Sequence, residues 1–237
     1  MTKPNELDIT FDFRTDTPTG KDPDSHSPTL RRFHRLLWSK SLPSGKRFDL
    51  VDTTPRVYLH HKSELGEFWL ASDTVIPSFT REHKIRHVFE GISQKELDRF
   101  NAIGYTIGGM MLWPGDRVGG KMTINQARGF HPRIKDRFDL TVESVLRHYT
   151  GRGSPLSETL ERYSEFFSLF KDFQGFVEFF FLQDIVASDF ASVRFFAPFD
   201  GFQSSPLPRS AEEYASYMAH ATGFIEARNR RIEQYSP

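Results

Sequence analysis

Ile134-Lys-Asp-Arg-Phe138-Asp-Leu-Thr-Val142-Glu-Ser-Val145-Leu146-Arg-His-Tyr149 is the stretch on which the fold class turns. Its apolar residues recur at three- and four-residue intervals, which places them on one face of a helix, and Gly151-Arg-Gly153 ends the pattern. Upstream the apolar period is mostly two. Leu7, Ile9, Phe11 and Phe13 alternate with Asp8, Thr10, Asp12 and Arg14, which predicts a half-buried strand. Arg56–His60 and Glu67–Ala71 predict a hairpin turning near Gly66, and Tyr105–Trp113 reads as a glycine-interrupted strand. Two helices punctuate this half. Ser27-Pro28 is a cap followed by a first-turn proline, and Ser93-Gln-Lys-Glu96 has capping-box spacing ahead of Leu97, Phe100 and Ile103.

Downstream of Tyr149 the helical period persists. Ser154-Pro155 opens a helix with Leu156, Leu160, Tyr163, Phe167 and Phe170 on one stripe, and Phe176, Val177, Phe180 and Phe181 begin another. Val193–Phe196 is expected to return as a strand, and Ser210-Ala-Glu-Glu213 to cap a final helix carrying Tyr214, Met218, Ile225 and Ile232. Strands early and helices late predict an α+β fold in one domain spanning 1–237. A strand-rich part, about 1–130, packs against a largely helical part, about 131–237; repeated βαβ units are disfavoured.

Composition narrows the function classes. With 31 basic and 31 acidic residues the chain has no net field to draw it onto nucleic acid or an anionic membrane. The absence of cysteine removes disulfides, thiolate metal sites and a thiol nucleophile, and fits a reducing compartment. The start, MTKPNELDITFDF, has no apolar run of signal-peptide length, and the apolar run Phe176–Leu182 is broken by Glu178. A cytoplasmic protein without a membrane partner is expected. The phenylalanines are concentrated, 13 of 24 within residues 163–202, and read as core or interface.

Charge is uneven locally. Residues 31–47 carry six Lys or Arg and no acid, and residues 117–137 carry six against Asp136 alone. If the two stretches meet they form an anion-attracting surface; the plain alternative is a solvated helix face.

Three constellations are candidate site material. The block Gly104–Gly129 is crowded with glycine and holds Lys121, Asn125 and Arg128. Glycine admits a ligand close to the backbone, Arg128 offers a planar fork for a carboxylate or phosphate, and Asn125 both donates and accepts. Within it Gly115-x4-Gly120-Lys121 copies part of a phosphate-cradling loop, but Met122 stands where the magnesium-binding Ser or Thr belongs, and the residues after it read as strand or loop. The second set lies at strand ends: Arg14, Asp16, Lys21 and Asp22 beyond the first strand, and Asp73 beyond another. Asp73 and Arg128 are the catalytic candidates. Arg14, Asp16, Lys21, Lys121 and Asn125 are the ligand-binding ones. The third, His83 and His87, shares a helix face if Arg81–Phe89 is helical, but no acid-plus-histidine set of metal-binding spacing accompanies it, so no metal site is assigned.

The blocks Phe11-Asp-Phe-Arg-Thr-Asp16, Trp38-Ser-Lys40, Ile124-Asn-Gln-Ala-Arg-Gly129, Asp136-Arg-Phe-Asp-Leu-Thr141, Arg147-His-Tyr149, Ser154-Pro-Leu156 and Phe195-Phe-Ala-Pro-Phe-Asp200 carry a resemblance across nearly the whole chain. It resembles a bacterial family of unknown function. The resemblance implies a bacterial cytosolic protein and brings no activity, cofactor or catalytic residue with it.

The residues themselves rank an enzyme acting on a phosphate-bearing ligand, a nucleotide or RNA, ahead of a non-enzymatic regulatory protein that binds nucleic acid or another protein. A self-associating structural protein using exposed phenylalanine comes third. The expected partner is an anionic small molecule or RNA; the residues fix neither a cofactor nor an oligomeric state.

Overall fold

A computed structural model describes residues 7–52, 59–79 and 82–235. The fold is α+β. Two short helices open it, α1 (Pro23–His26) and α2 (Pro28–Trp38), the second capped by the Ser27 hydroxyl, which accepts from the Leu30 amide as the Ser-Pro signal predicts. A small hairpin of β1 (Lys40–Ser41) and β2 (Arg47–Phe48) comes next. The main sheet is antiparallel in the order β3 (Val51–Asp52), β4 (Leu59–Ser63), β5 (Gly66–Thr74) and β6 (Met110–Pro114). The expected hairpin is present, with Leu59 opposite Leu70; the Arg56–Tyr58 portion of its first strand lies outside the described residues.

Between β5 and β6 run α3 (Arg86–Glu90) and α4 (Gln94–Gly104), the latter closed by the Ser93–Glu96 capping box. After β6 come α5 (Ile124–Phe130), α6 (Phe138–Tyr149), α7 (Ser157–Glu161), α8 (Ser164–Ser168), α9 (Phe173–Phe179) and the long α10 (Ala211–Gln234), capped by Ser210. Helix α10 packs on α3, α4 and the tight turn Ile107–Gly109 that leads into β6. Arg228, fully buried on α10, donates to the carbonyls of Phe180 (3.0 Å), Gly108 (3.0 Å) and Met110 (2.7 Å), and Asn229 Oδ1 accepts from the Gly108 amide at 2.7 Å. A Cβ on Gly108 would stand 2.6 Å from that Asn229 oxygen, so the close approach of helix to turn requires glycine.

Several expectations give way to tertiary structure. Residues 7–14 form turns, not a strand. Asp8 and Asp12 accept from the amides of Thr10 and Arg14 at 2.9 and 3.0 Å and fold the chain back on itself, yet the apolar alternation still buries Phe13. The stretch Tyr105–Trp113 is extended only from Met110, because Ile107–Gly109 is a helical turn. Residues 124–130 are helical rather than strand or loop, capped by a reciprocal Thr123–Gln126 pair. The expected helix over 155–170 keeps its buried stripe but divides at Arg162–Tyr163. There Arg162 Nη2 reaches the Met122 carbonyl (2.8 Å) and the Tyr163 hydroxyl reaches that of Asp116 (2.7 Å). Val193 makes a single bridge to Val186 and no strand. The phenylalanines form core: Phe170 has the rings of Phe166, Phe176, Phe179 and Phe180 within 5.0–5.5 Å.

Candidate functional site

Strand β5 alternates. Phe68, Leu70, Ser72 and Thr74 are buried on one face, and Asp73 points from the other at the strand's end. Helix α5 brings Arg128 to it. Arg128 has no exposed surface, and its guanidinium is divided among protein acceptors: Nη1 lies 2.6 Å from Asp73 Oδ2 and 3.1 Å from Asp136 Oδ1, Nη2 donates to the Asp136 carbonyl (3.0 Å), and Nε to Thr141 Oγ1 (3.3 Å). A fork so engaged orders the junction of β5, α5 and α6, where the residue type alone suggested a ligand's anion.

Two carboxylates thus share one buried guanidinium, and a third closes in. Helix α1 lies against β5 and places Asp24, whose Oδ1 is buried without a partner among the described residues, within electrostatic reach of Asp73, Asp22 and Asp136. Burial, with those like charges adding, raises Asp24 well above the usual carboxylate range. Asp73 is pushed up to about 7, chiefly by burial and further by Asp136, while Arg128 opposes. Tyr105 borders the group; burial and the nearby Asp24 and Asp22 raise its phenol to about 12. Arg14 lies over the Tyr105 ring at 5.3 Å while pairing with Asp12 at 2.5 Å.

The other sequence candidates disperse. Asn125 donates to the Ser72 carbonyl at 3.4 Å and leaves its buried Oδ1 without a partner among the described residues, so it stands beside Asp73. Asp16 accepts from the Ser27 hydroxyl (2.6 Å) and the Thr29 amide (3.0 Å) and buttresses the start of α2. Lys21 and Lys121 are exposed on separate loops. His83 occupies a single helical turn ahead of α3, which carries His87; Arg81 lies outside the described residues.

A cavity of about 970 Å³ opens between α3, α6, the start of α10 and the loop Ala197–Arg209. Its wall is apolar and aromatic, with Phe79, Phe199, Phe202 and Tyr217; Arg133, Arg137, Arg209 and His87 supply basic groups and Asp200, Glu212 and Glu213 acidic ones, Arg209 being paired with Glu213 at 2.8 Å. Arg137 is bound to Asp139 through Nε (3.1 Å) and Nη2 (2.5 Å), and Nη2 also donates to the Ala197 carbonyl (3.0 Å); its Nη1 makes no bond among the described residues. The Tyr217 hydroxyl is buried and likewise without a partner among the described residues. Burial raises this phenol far above its ordinary value; Asp139 and Asp136 add to the effect and Arg137 opposes it. Tyr217 is also within electrostatic reach of Arg128, so the cavity floor adjoins the Asp73–Arg128–Asp136 cluster.

The model of a family of unknown function, DUF6994, matches residues 7–232. The chain belongs to that family. No curated protein and no solved structure matches it. The family therefore supplies membership without a mechanism. Sequence reasoning missed Tyr217, Arg133 and Arg137 as cavity residues. Tyr217 carries no motif, Arg133 stands out only as a member of the basic stretch 117–137, and Arg137 belongs both to that stretch and to the block Asp136–Thr141. Two of the blocks that carry the resemblance reach this cavity: Asp136–Thr141 through Arg137 and Leu140, and Phe195–Asp200 through Ala197, Pro198, Phe199 and Asp200.

Proposed function

We propose that the chain is an enzyme acting on a small phosphate-bearing ligand of the nucleotide class, held in the cavity between α6 and α10. The observation that carries this reading is the pairing, in one cavity, of an unpartnered buried Tyr217 hydroxyl with the uncommitted Nη1 of Arg137, beside the exposed guanidinium of Arg133. Both guanidinium groups suit phosphate oxygens, and the rings of Phe199 and Phe202 suit a flat base. The Tyr217 phenol keeps its proton at neutral pH and donates to a phosphoryl or leaving oxygen, and the His87 imidazole lines the same cavity. Asp73 and Arg128 act here as positioning residues that set the charge and placement of the floor. A cavity of this size supports a mononucleotide over an extended RNA.

The alternative, a basic nucleic-acid surface, loses its support residue by residue. Arg35 pairs with Asp52, Lys46 with Glu64, Arg47 with Asp49 and Lys135 with Glu82, so much of the two basic stretches is neutralised locally. Thermal-shift titration with a panel of mononucleotides tests the proposal, followed by chromatography of the incubated compound. At least one nucleotide is expected to raise Tm, to lose about tenfold or more in affinity in Arg133→Ala, and to be turned over. The absence of any Tm shift across the panel sinks the ligand class; a shift without turnover sinks the enzyme.

A further inference from the structure

A second cavity, of about 900 Å³, lies between the end of α2, the β1–β2 hairpin and α9, and Lys40 lines it. The Lys40 ammonium nitrogen sits 3.9 Å from the centroid of Phe181, 4.6 Å from Phe179 and 5.0 Å from both Trp38 and Tyr235. Among the described residues it has no carboxylate within ion-pair distance. Phe181 reaches this position from a left-handed backbone (φ +55°), a conformation disfavoured for a bulky residue, so the packing around it holds the ring under the amine.

We infer that Lys40 is a nucleophilic amine that condenses with an aldehyde or ketone entering this cavity, an activity separate from the site at Tyr217. Three observations support it. The amine is held by rings and lacks an acid partner, it opens onto a cavity large enough for a small carbonyl compound, and the cationic Arg228 lies within electrostatic reach. A desolvated lysine beside a second cation is a recognised way of making the free amine available. Burial first, and then Arg228, lower the ammonium to about 7, while the ring faces favour the cation; amine and ammonium are therefore both present near neutrality. The charged groups around it are Arg228 from α10, Arg35 from α2, Arg47 from β2, and Lys171, Asp172 and Glu178 on and before α9.

The condensation balances without an oxidant. The Nζ lone pair forms a bond to the carbonyl carbon, and the C=O π pair moves to oxygen, which takes a proton. Nζ gives up its proton to solvent, and loss of water leaves C=N.

The test uses the full chain with 4-formylbenzoate as the aldehyde and cyanoborohydride to trap the imine at pH 7, read by intact mass and peptide mapping. One adduct at Lys40 is expected, formed about tenfold or more faster than at any other of the ten lysines. It should be absent in Lys40→Arg, which keeps the cation between the rings. In Phe181→Gly the backbone stays compatible with positive φ, and loss of the ring removes both its attraction for the cation and its share of the burial; burial is the larger influence on this amine, so the midpoint of the pH–rate profile should move upward. Labelling confined to the α-amino group or spread over other lysines, with Lys40 no faster, overturns the proposal. An unmoved midpoint in Phe181→Gly overturns the role of the rings.

Discussion

Arg128 Nη1 stands 2.6 Å from Asp73 Oδ2 and 3.1 Å from Asp136 Oδ1, so one buried guanidinium ties the end of β5 to the chain entering α6. The two residues ranked highest from sequence do meet, and they meet as an ion pair. In that arrangement all three of its nitrogens already donate to the protein.

The first prediction concerns that pair. Arg128→Ala leaves the Asp73 and Asp136 carboxylates and the Asp136 carbonyl without their buried donor. Breaking a buried pair in this way costs on the order of 3–5 kcal/mol. Urea unfolding should show a loss of unfolding free energy of that size, with Arg128→Lys recovering only part, because one ammonium cannot span five acceptors. A variant as stable as the parent contradicts the structural role.

The second is a pH dependence. Burial places the Asp73 carboxyl at about 7 against an ordinary 3.8, so in the window between those values the folded chain holds a proton that the unfolded chain has released. Stability from this group is therefore greatest at low pH and falls as pH rises through the window. Asp73→Asn has no proton to lose. Its Tm relative to the parent should climb from pH 4 to pH 7, and a flat difference would remove the effect. Asp24, raised in the same direction, should add to the slope in the double variant Asp24→Asn/Asp73→Asn.

The third separates ligand from fold at Tyr217. Its hydroxyl is buried and unpartnered among the described residues, and such a group carries a desolvation cost of about 1–3 kcal/mol. Tyr217→Phe is expected to hold or raise Tm without ligand, and to lose about tenfold in the nucleotide affinity read from the Tm titration. A loss of Tm without ligand would make Tyr217 a structural donor instead.

The fourth addresses the clamp between α10 and β6. Arg228→Met fills similar volume but strips the carbonyls of Phe180, Gly108 and Met110 of their donor. Two or more unsatisfied carbonyls predict a loss of roughly 2–5 kcal/mol. Hydrogen exchange should localise the added opening to the Ile107–Gly109 turn and α10. Uniform protection would contradict the clamp.

Several local signals in the chain survive into the structure, while the helical period over 155–170 is divided by contacts from Met122 and Asp116. The Ser27-Pro28 cap, the Ser93–Glu96 box, the hairpin at Gly66 and the period of Phe138–Tyr149 depend on residues within a turn or two of one another, and all are present. The polar alternation of residues 7–14 had two local outcomes, strand or aspartate-stabilised turns, and contact with Tyr105 selected the turns. The candidate site behaved the same way. Residue chemistry marked Asp73, Asn125 and Arg128 as worth attention, and they do lie together. Only the packing of α5 on β6, which brings it beside the end of β5, decided that Arg128 is bound by carboxylates from two other parts of the chain. The groups lining the cavity, Arg133, Arg137 and Tyr217, are up to 84 positions apart in the chain. No short-range pattern encodes such a meeting, because burial and charge at a site are set by whatever distant surface the fold folds against it.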